Sequence, residues 1–290
     1  MESTKATLLS CCLLAALVCG CGGARSAVTV EGTRGAEGPR EVKAFAPEPD
    51  AFEGKMIYVV VALCDNVNQG IVPVPAALGN GEDPPRNLYW GARFGVKTFF
   101  KASRDWQLVA EVENPRHQIL ERLVFKRRDA NVYMVADAYR GAEIKQATAD
   151  FLSAAAGQSR EAVRVEGKNL GLSRGASSHL VAYVGHNGLM DFSLTSYPKK
   201  RDAEGAARDA VILACASKGY FADALREAGA RPLLWTTNLM APEAYVLKAA
   251  VDGWVAGDAG ERVRERAAKE YDAYQKCGLK AAQKLFATGW

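Results

Sequence analysis

Five stretches of the chain are short and continuously apolar: Met56 to Leu63 (MIYVVVAL), Val132 to Ala136 (VYMVA), His179 to Val184 (HLVAYV), Ala210 to Ala214 (AVILA) and Pro232 to Thr236 (PLLWT). All are of strand length, and they do not alternate polar with apolar residues. That is the pattern of parallel strands covered on both faces. The stretches between them predict helices over 91–101, 117–126, 144–156 and 221–228. The Ala/Lys/Glu-rich region 261–287 predicts one long amphipathic helical stretch with Gly278 inside it. Strands alternating with helices imply right-handed βαβ units, hence an open, mostly parallel sheet with helices on both faces. The segment 106–128 stands out as an insertion before the second strand.

Composition supports this picture. Of 290 residues, 49% are hydrophobic and 24% charged, enough apolar material for a sizeable core. The net charge of +4 comes from Lys and Arg scattered among nearly as many Asp and Glu. No basic run is interleaved with aromatics, so nucleic acid is not an expected partner.

The N-terminus reads as a targeting segment. Lys5 precedes an apolar run from Leu8 to Val18, which is followed by Cys19-Gly20-Cys21. The run is shorter than the ~20 residues needed to span a bilayer. The segment resembles a bacterial lipobox, with Cys21 as the lipid-bearing residue. That resemblance implies a lipoprotein signal peptide over 1–20, a Gly/Ala/Glu/Pro-rich tether over 21–50 and a folded domain over 51–290. It also implies a protein lipid-anchored at the bacterial cell envelope, facing the periplasm or the surface. A secretory signal cleaved near Ala24 or Ser26 is the alternative.

After such processing Cys64, Cys215 and Cys277 remain, an odd number that leaves at least one unpaired within the chain. No CxxC occurs, and His117, His179 and His186 stand in no metal-ligand spacing. Neither a metal nor another cofactor is expected.

In open α/β sheets, chemistry collects at the carboxyl ends of the strands. The first strand ends in Cys64-Asp65-Asn66, the third in Gly185-His186-Asn187-Gly188 and the fourth in Cys215-Ala216-Ser217. A His and a Cys at the ends of successive strands can share one crevice, where the imidazole assists attack by the thiol on a carbonyl. A buried Cys between alanines is also a common core residue. The two readings part on whether both residues lie at the strand ends.

The order VAYVGHNG then VILACAS resembles the caspase-haemoglobinase fold, and most closely its legumain family. Further landmarks extend the likeness from about Lys55 to Leu247: Tyr139-Arg140-Gly141 before Phe151-Leu152, and Trp235-Thr236-Thr237-Asn238 before Pro242-Glu243. The resemblance implies a three-layer α/β/α caspase-like sandwich around a mostly parallel sheet. It implies Cys215 as nucleophile and His186 as acid/base, with Asn66, or Asp65 if the register slips, orienting the imidazole. Gly185, Asn187, Gly188, Asp65, Leu213 and Thr237 would then border the oxyanion site and cleft. Two departures qualify this. Asn187 separates His186 from Gly188, and Leu213 stands where the family carries Glu or Gln. The function implied is a cysteine endopeptidase, or a transamidase of similar chemistry, acting on a peptide or protein. A catalytically silent caspase-like module that binds a partner is the alternative.

Two further segments carry expectations. The loop 65–90 is dense in Asn, Gly and Pro yet holds Ile71, Leu88, Tyr89 and Trp90, which need a packing surface. It reads as a wall of the cleft, with Asp83 and Arg86 as polar contacts. Lys199-Lys200-Arg201 reads as a solvated turn, or else as a processing site.

Overall fold

The computed structural model describes residues 52–174, 176, 178–201 and 208–290. The expected signal peptide, Cys21 and tether lie outside these residues. Four strands come first: β1 (Lys55–Ala62), β2 (Trp106–Arg116), β3 (Ile119–Arg127) and β4 (Val132–Tyr139). A small separate hairpin follows, β5 (Ala162–Val165) with β6 (Lys168–Gly171). Then come β7 (Ser178–Val184), β8 (Asp209–Leu213), β9 (Arg231–Thr236) and β10 (Phe286–Ala287). The helices are α1 (Val96–Lys101), α2 (Ile144–Ala155), α3 (Ser217–Ala228), α4 (Ala244–Val255), α5 (Gly260–Gln275) and α6 (Leu279–Leu285).

One eight-stranded sheet carries the chain in the order β10-β9-β8-β7-β1-β4-β3-β2. The five strands read from the sequence form its parallel centre, β9-β8-β7-β1-β4. Antiparallel strands flank that centre: β3 and β2 beyond β4, and β10 beyond β9. β1 lies in the middle and is buried from Met56 onward. Its Ile57, Val59 and Val61 enter a core shared with α1, α4 and α5, whereas Met56, Tyr58 and Val60 enter one shared with α2 and α3. Helices therefore cover both faces, which is why the parallel strands lack alternation.

The segment expected to be a helix over 117–126 is strand β3. Its Ile119, Leu120, Leu123 and Val124 satisfy a helical repeat. As a strand, however, it sends Leu123 and Phe125 to one core and Ile119 and Val124 to the other. Arg122 decides the register, because its guanidinium is buried and its Nε and Nη2 each meet the buried Asp137 of β4 at 2.6 Å. The 106–128 insertion is thus a hairpin that widens the sheet. Helix α4 went unanticipated, since it is buried on nearly every side and shows no apolar stripe. The long C-terminal stretch is broken. Lys276 and Gly278 take left-handed φ values of 55° and 88°, separating α5 from α6, and the chain then enters β10.

Candidate functional site

β7 and β8 pair in parallel, and their last partnered residues are Val184 and Leu213. Gly185 N extends the ladder by donating to Leu213 O at 3.2 Å. His186 and Cys215 therefore stand at equivalent positions, each two residues beyond that pair. Gly185 is required here. Its φ is 148°, and a Cβ would lie 2.7 Å from Ala62 O of β1.

Asn187 fastens the two strand ends together. Its side chain is fully buried. Nδ2 donates to Cys215 O at 2.7 Å, while Oδ1 accepts from Leu189 N at 3.2 Å and so starts the single 3-10 turn Gly188–Met190. The residue that departs from the His-Gly pattern thus sets the position of the Cys215 turn.

Cys215 itself is partly exposed. Ala216, which follows it, has a left-handed φ of 49° and caps the N-terminus of α3. A non-glycine residue there stores roughly 1–3 kcal/mol, held by its surroundings. The restraints are visible: Ala216 N donates to Asn238 O at 2.9 Å, and Ser217 and Thr236 bond through both hydroxyls and both main-chain N–H groups. Strand, sharp turn and helix thus present the thiol at the mouth of the sheet. The positive end of the α3 dipole beside it favours negative charge developing on an oxyanion.

The sulfur meets main chain. Met240 N donates to Sγ at 3.4 Å, and Sγ donates to Met240 O at 3.6 Å. Buried Tyr89 lies near both Cys64 and Cys215. Burial pushes its phenol well above the usual range, and Cys64 and then Cys215 add to that. Cys64, although at a strand end, is fully buried, and burial pushes its thiol up to about 11.

His186 is 8% exposed. Its Nε2 meets Asp191 Oδ2 at 2.7 Å, and the same oxygen accepts from Gly70 N at 3.0 Å. Among the described residues no hydrogen bond joins His186 to Cys215; each has its own partner. Asn66, the expected orienting group, does not reach the imidazole. Its Nδ2 donates to Val74 O at 2.8 Å and its Oδ1 accepts from Val74 N at 3.0 Å, closing the loop 66–74. Asp65 is likewise engaged locally, with Oδ1 accepting from Val67 N and Oδ2 from Asn68 Nδ2. Asp191 orients the imidazole instead. Its only signal in the sequence is a single acid shortly after the His, inside an otherwise uncharged turn.

Two other expected cleft residues are tied into the framework. Leu213 is fully buried in the core beneath Cys215. Thr237 is exposed and donates to Lys284 O and Leu285 O, tying β9 to α6.

The loop 65–90 is ordered by residues that sequence reasoning passed over. Buried Asn87 accepts from Cys64 N and Tyr89 N and donates to Cys64 O and Asn80 O. Gln69 donates to Leu63 O and Gly141 O. Tyr89 and Trp90 pack into the core, and Gly70 brings the loop against Asp191. Asp83 and Arg86 pair with each other at 2.6 Å. The main chain at 199–201 is anchored, because Lys200 N donates to Glu227 O and Arg201 N to Ala156 O.

Among the described residues no cluster of His, Cys, Asp and Glu is arranged to hold a metal ion, and no helix is long and apolar enough to cross a membrane. The fold and site define an α/β protein with a mixed, mostly parallel sheet and a thiol and an imidazole at neighbouring strand ends. No protein-family model matches the chain, and no curated protein or solved structure was found to match it.

Proposed function

We propose that the chain is a cysteine peptidase of the caspase-haemoglobinase type with Cys215 as nucleophile and His186 as acid/base. The observation that carries this reading is their equivalent placement beyond Val184 and Leu213 on adjacent parallel strands. With Nε2–H donated to Asp191, the lone pair of the imidazole sits on Nδ1, which takes the thiol proton. The sulfur then bonds to the substrate carbonyl carbon, and the oxyanion collapses to expel the amine, which leaves with that proton. Water resolves the thioester to an acid and free thiol; an amine in its place gives transamidation. His186 and Cys215 are each hydrogen-bonded elsewhere, so this chemistry needs them to close on a bound substrate. The same separation favours a second reading, a silent peptide-binding module. The lipid anchor on Cys21 and an envelope location complete the proposal.

A thiol-directed peptide electrophile distinguishes the two. It labels Cys215 at near-neutral pH, and His186→Ala abolishes the labelling. Equal labelling of both proteins removes the peptidase reading.

A further inference from the structure

The buried face of α5 is written at helical spacing as Val263, Ala267, Ala268 and Tyr271. Tyr271 is 8% exposed, its ring edge-on to Phe286 of β10 at 5.5 Å and tilted against Tyr245 of α4 at 6.5 Å. A buried tyrosine needs a partner for its hydroxyl. Here the phenolic oxygen accepts from Ala241 N at 3.2 Å.

Ala241 directly follows Met240, whose two main-chain polar groups both meet the Cys215 sulfur, N at 3.4 Å and O at 3.6 Å. The segment that carries them joins β9 to α4 and is fixed on either side. Asn238 O accepts from Ala216 N at 2.9 Å, and Ala244 N donates to Phe94 O at 2.8 Å. Between those anchors, the Tyr271 hydroxyl holds the residue next to Met240. A thiol that donates its proton to Met240 O does not offer it to an imidazole. A substrate carbonyl must also come within about 3–3.5 Å of the sulfur to be attacked. Met240 occupies that shell on one side.

We propose that residues 238–242 form a strap that holds Cys215 in a resting state, and that Tyr271 is the positioning residue that latches it. Resting on the peptidase reading above, it gives that activity a gate. Substrate binding lifts the Met240 main chain off the sulfur, and the thiol proton becomes available to His186. Only hydrogen bonds are exchanged in this step. The latch reaches the thiol through one intervening residue, so a group on α5 governs a nucleophile at the end of β8.

Tyr271→Phe keeps the ring in the core and removes only the oxygen that holds Ala241 N. In the full chain, iodoacetamide alkylation of each cysteine is followed by peptide mapping, and amide hydrogen exchange is followed over residues 237–243. Alkylation of Cys215 rises at least about fivefold, the scale of one lost hydrogen bond. Cys64 stays protected, Cys277 keeps its rate, and faster exchange is confined to 237–243. An unmoved or slower Cys215, or unchanged exchange in that segment, overturns the strap. So does a rise shared by Cys64, which marks general loosening of the fold. The peptide electrophile reports the activity separately. If it labels with and without His186 alike while Tyr271→Phe still unmasks Cys215, the peptidase reading falls and the strap stands. If labelling needs His186 while Tyr271→Phe leaves alkylation unmoved, the strap falls and the peptidase reading stands.

Discussion

The Asn187 amide donates to the Cys215 carbonyl at 2.7 Å, so a side chain at the end of β7 fixes the main chain at the end of β8. Replacing it with Leu keeps the volume and leaves the carbonyl and Leu189 N without their partner. The cost is about 1–3 kcal/mol, the desolvation penalty of buried groups left unpaired. Urea unfolding measures that loss, and electrophile labelling of Cys215 slows in the folded protein. Unchanged stability and labelling together would show that the clamp holds nothing.

Asp191 sets which imidazole nitrogen carries the proton. Asp191→Asn offers an amide that can donate to Nε2 and reverse the tautomer, so labelling of Cys215 falls by at least about tenfold, with thermal stability little changed. Asn66→Ala opens the 66–74 loop and leaves the pH profile of labelling where it was. A profile moved by Asn66 and not by Asp191 would restore Asn66 as the orienting group.

The three thiols separate by reactivity. Burial lifts Cys64 to about 11, whereas Cys215 is partly exposed and Cys277 exposed. At mildly alkaline pH, iodoacetamide modifies Cys277 and Cys215 and spares Cys64 until the protein unfolds. Peptide mapping by mass spectrometry reads the order directly.

The pair Arg122–Asp137 is buried, with Tyr58 also donating to the carboxylate at 2.9 Å. Asp137→Ala takes from the buried guanidinium its bidentate partner, leaving the bond from Nη2 to the half-buried Glu161 at 3.0 Å, and costs up to roughly 3–5 kcal/mol. The double replacement Arg122→Met with Asp137→Leu costs much less than the two single changes added together. A double-mutant cycle by denaturation measures the coupling.

His179, at the start of β7, gives the folded state a pH dependence. Burial first, and then nearby Arg208, lowers its pKa from 6.5 to about 4. The unfolded chain therefore binds the proton more readily between those values. The contribution is complete above about pH 6.5 and is lost as pH falls towards 4, at most about 3 kcal/mol in all. His179→Leu flattens stability across that window; an unaltered slope would place its origin elsewhere.

The parallel centre of the sheet was legible because strands buried on both faces are written as unbroken apolar runs, Met56 to Leu63 above all. β3 was not, because Ile119 and Leu123 fit a helix as well as a strand. The deciding partner of Arg122 also lies fifteen positions away in β4. Likewise His186 and Cys215 could be placed by their strands, whereas Asp191 replaced Asn66 through the geometry of a 3-10 turn that no spacing encodes. Leu213 fell on the wrong side of the strand's final alternation, facing the core and not the mouth.

The closure of β9 by Phe286–Ala287 ties a distant segment to the site. Thr236, which braces the Cys215 turn through Ser217, pairs with Phe286, and Thr237 is tied to Lys284 and Leu285. Detaching residues 284–287 would bare the edge of β9 and leave the turn resting on Asn187, Asn238 and the Ser217–Thr236 bonds alone.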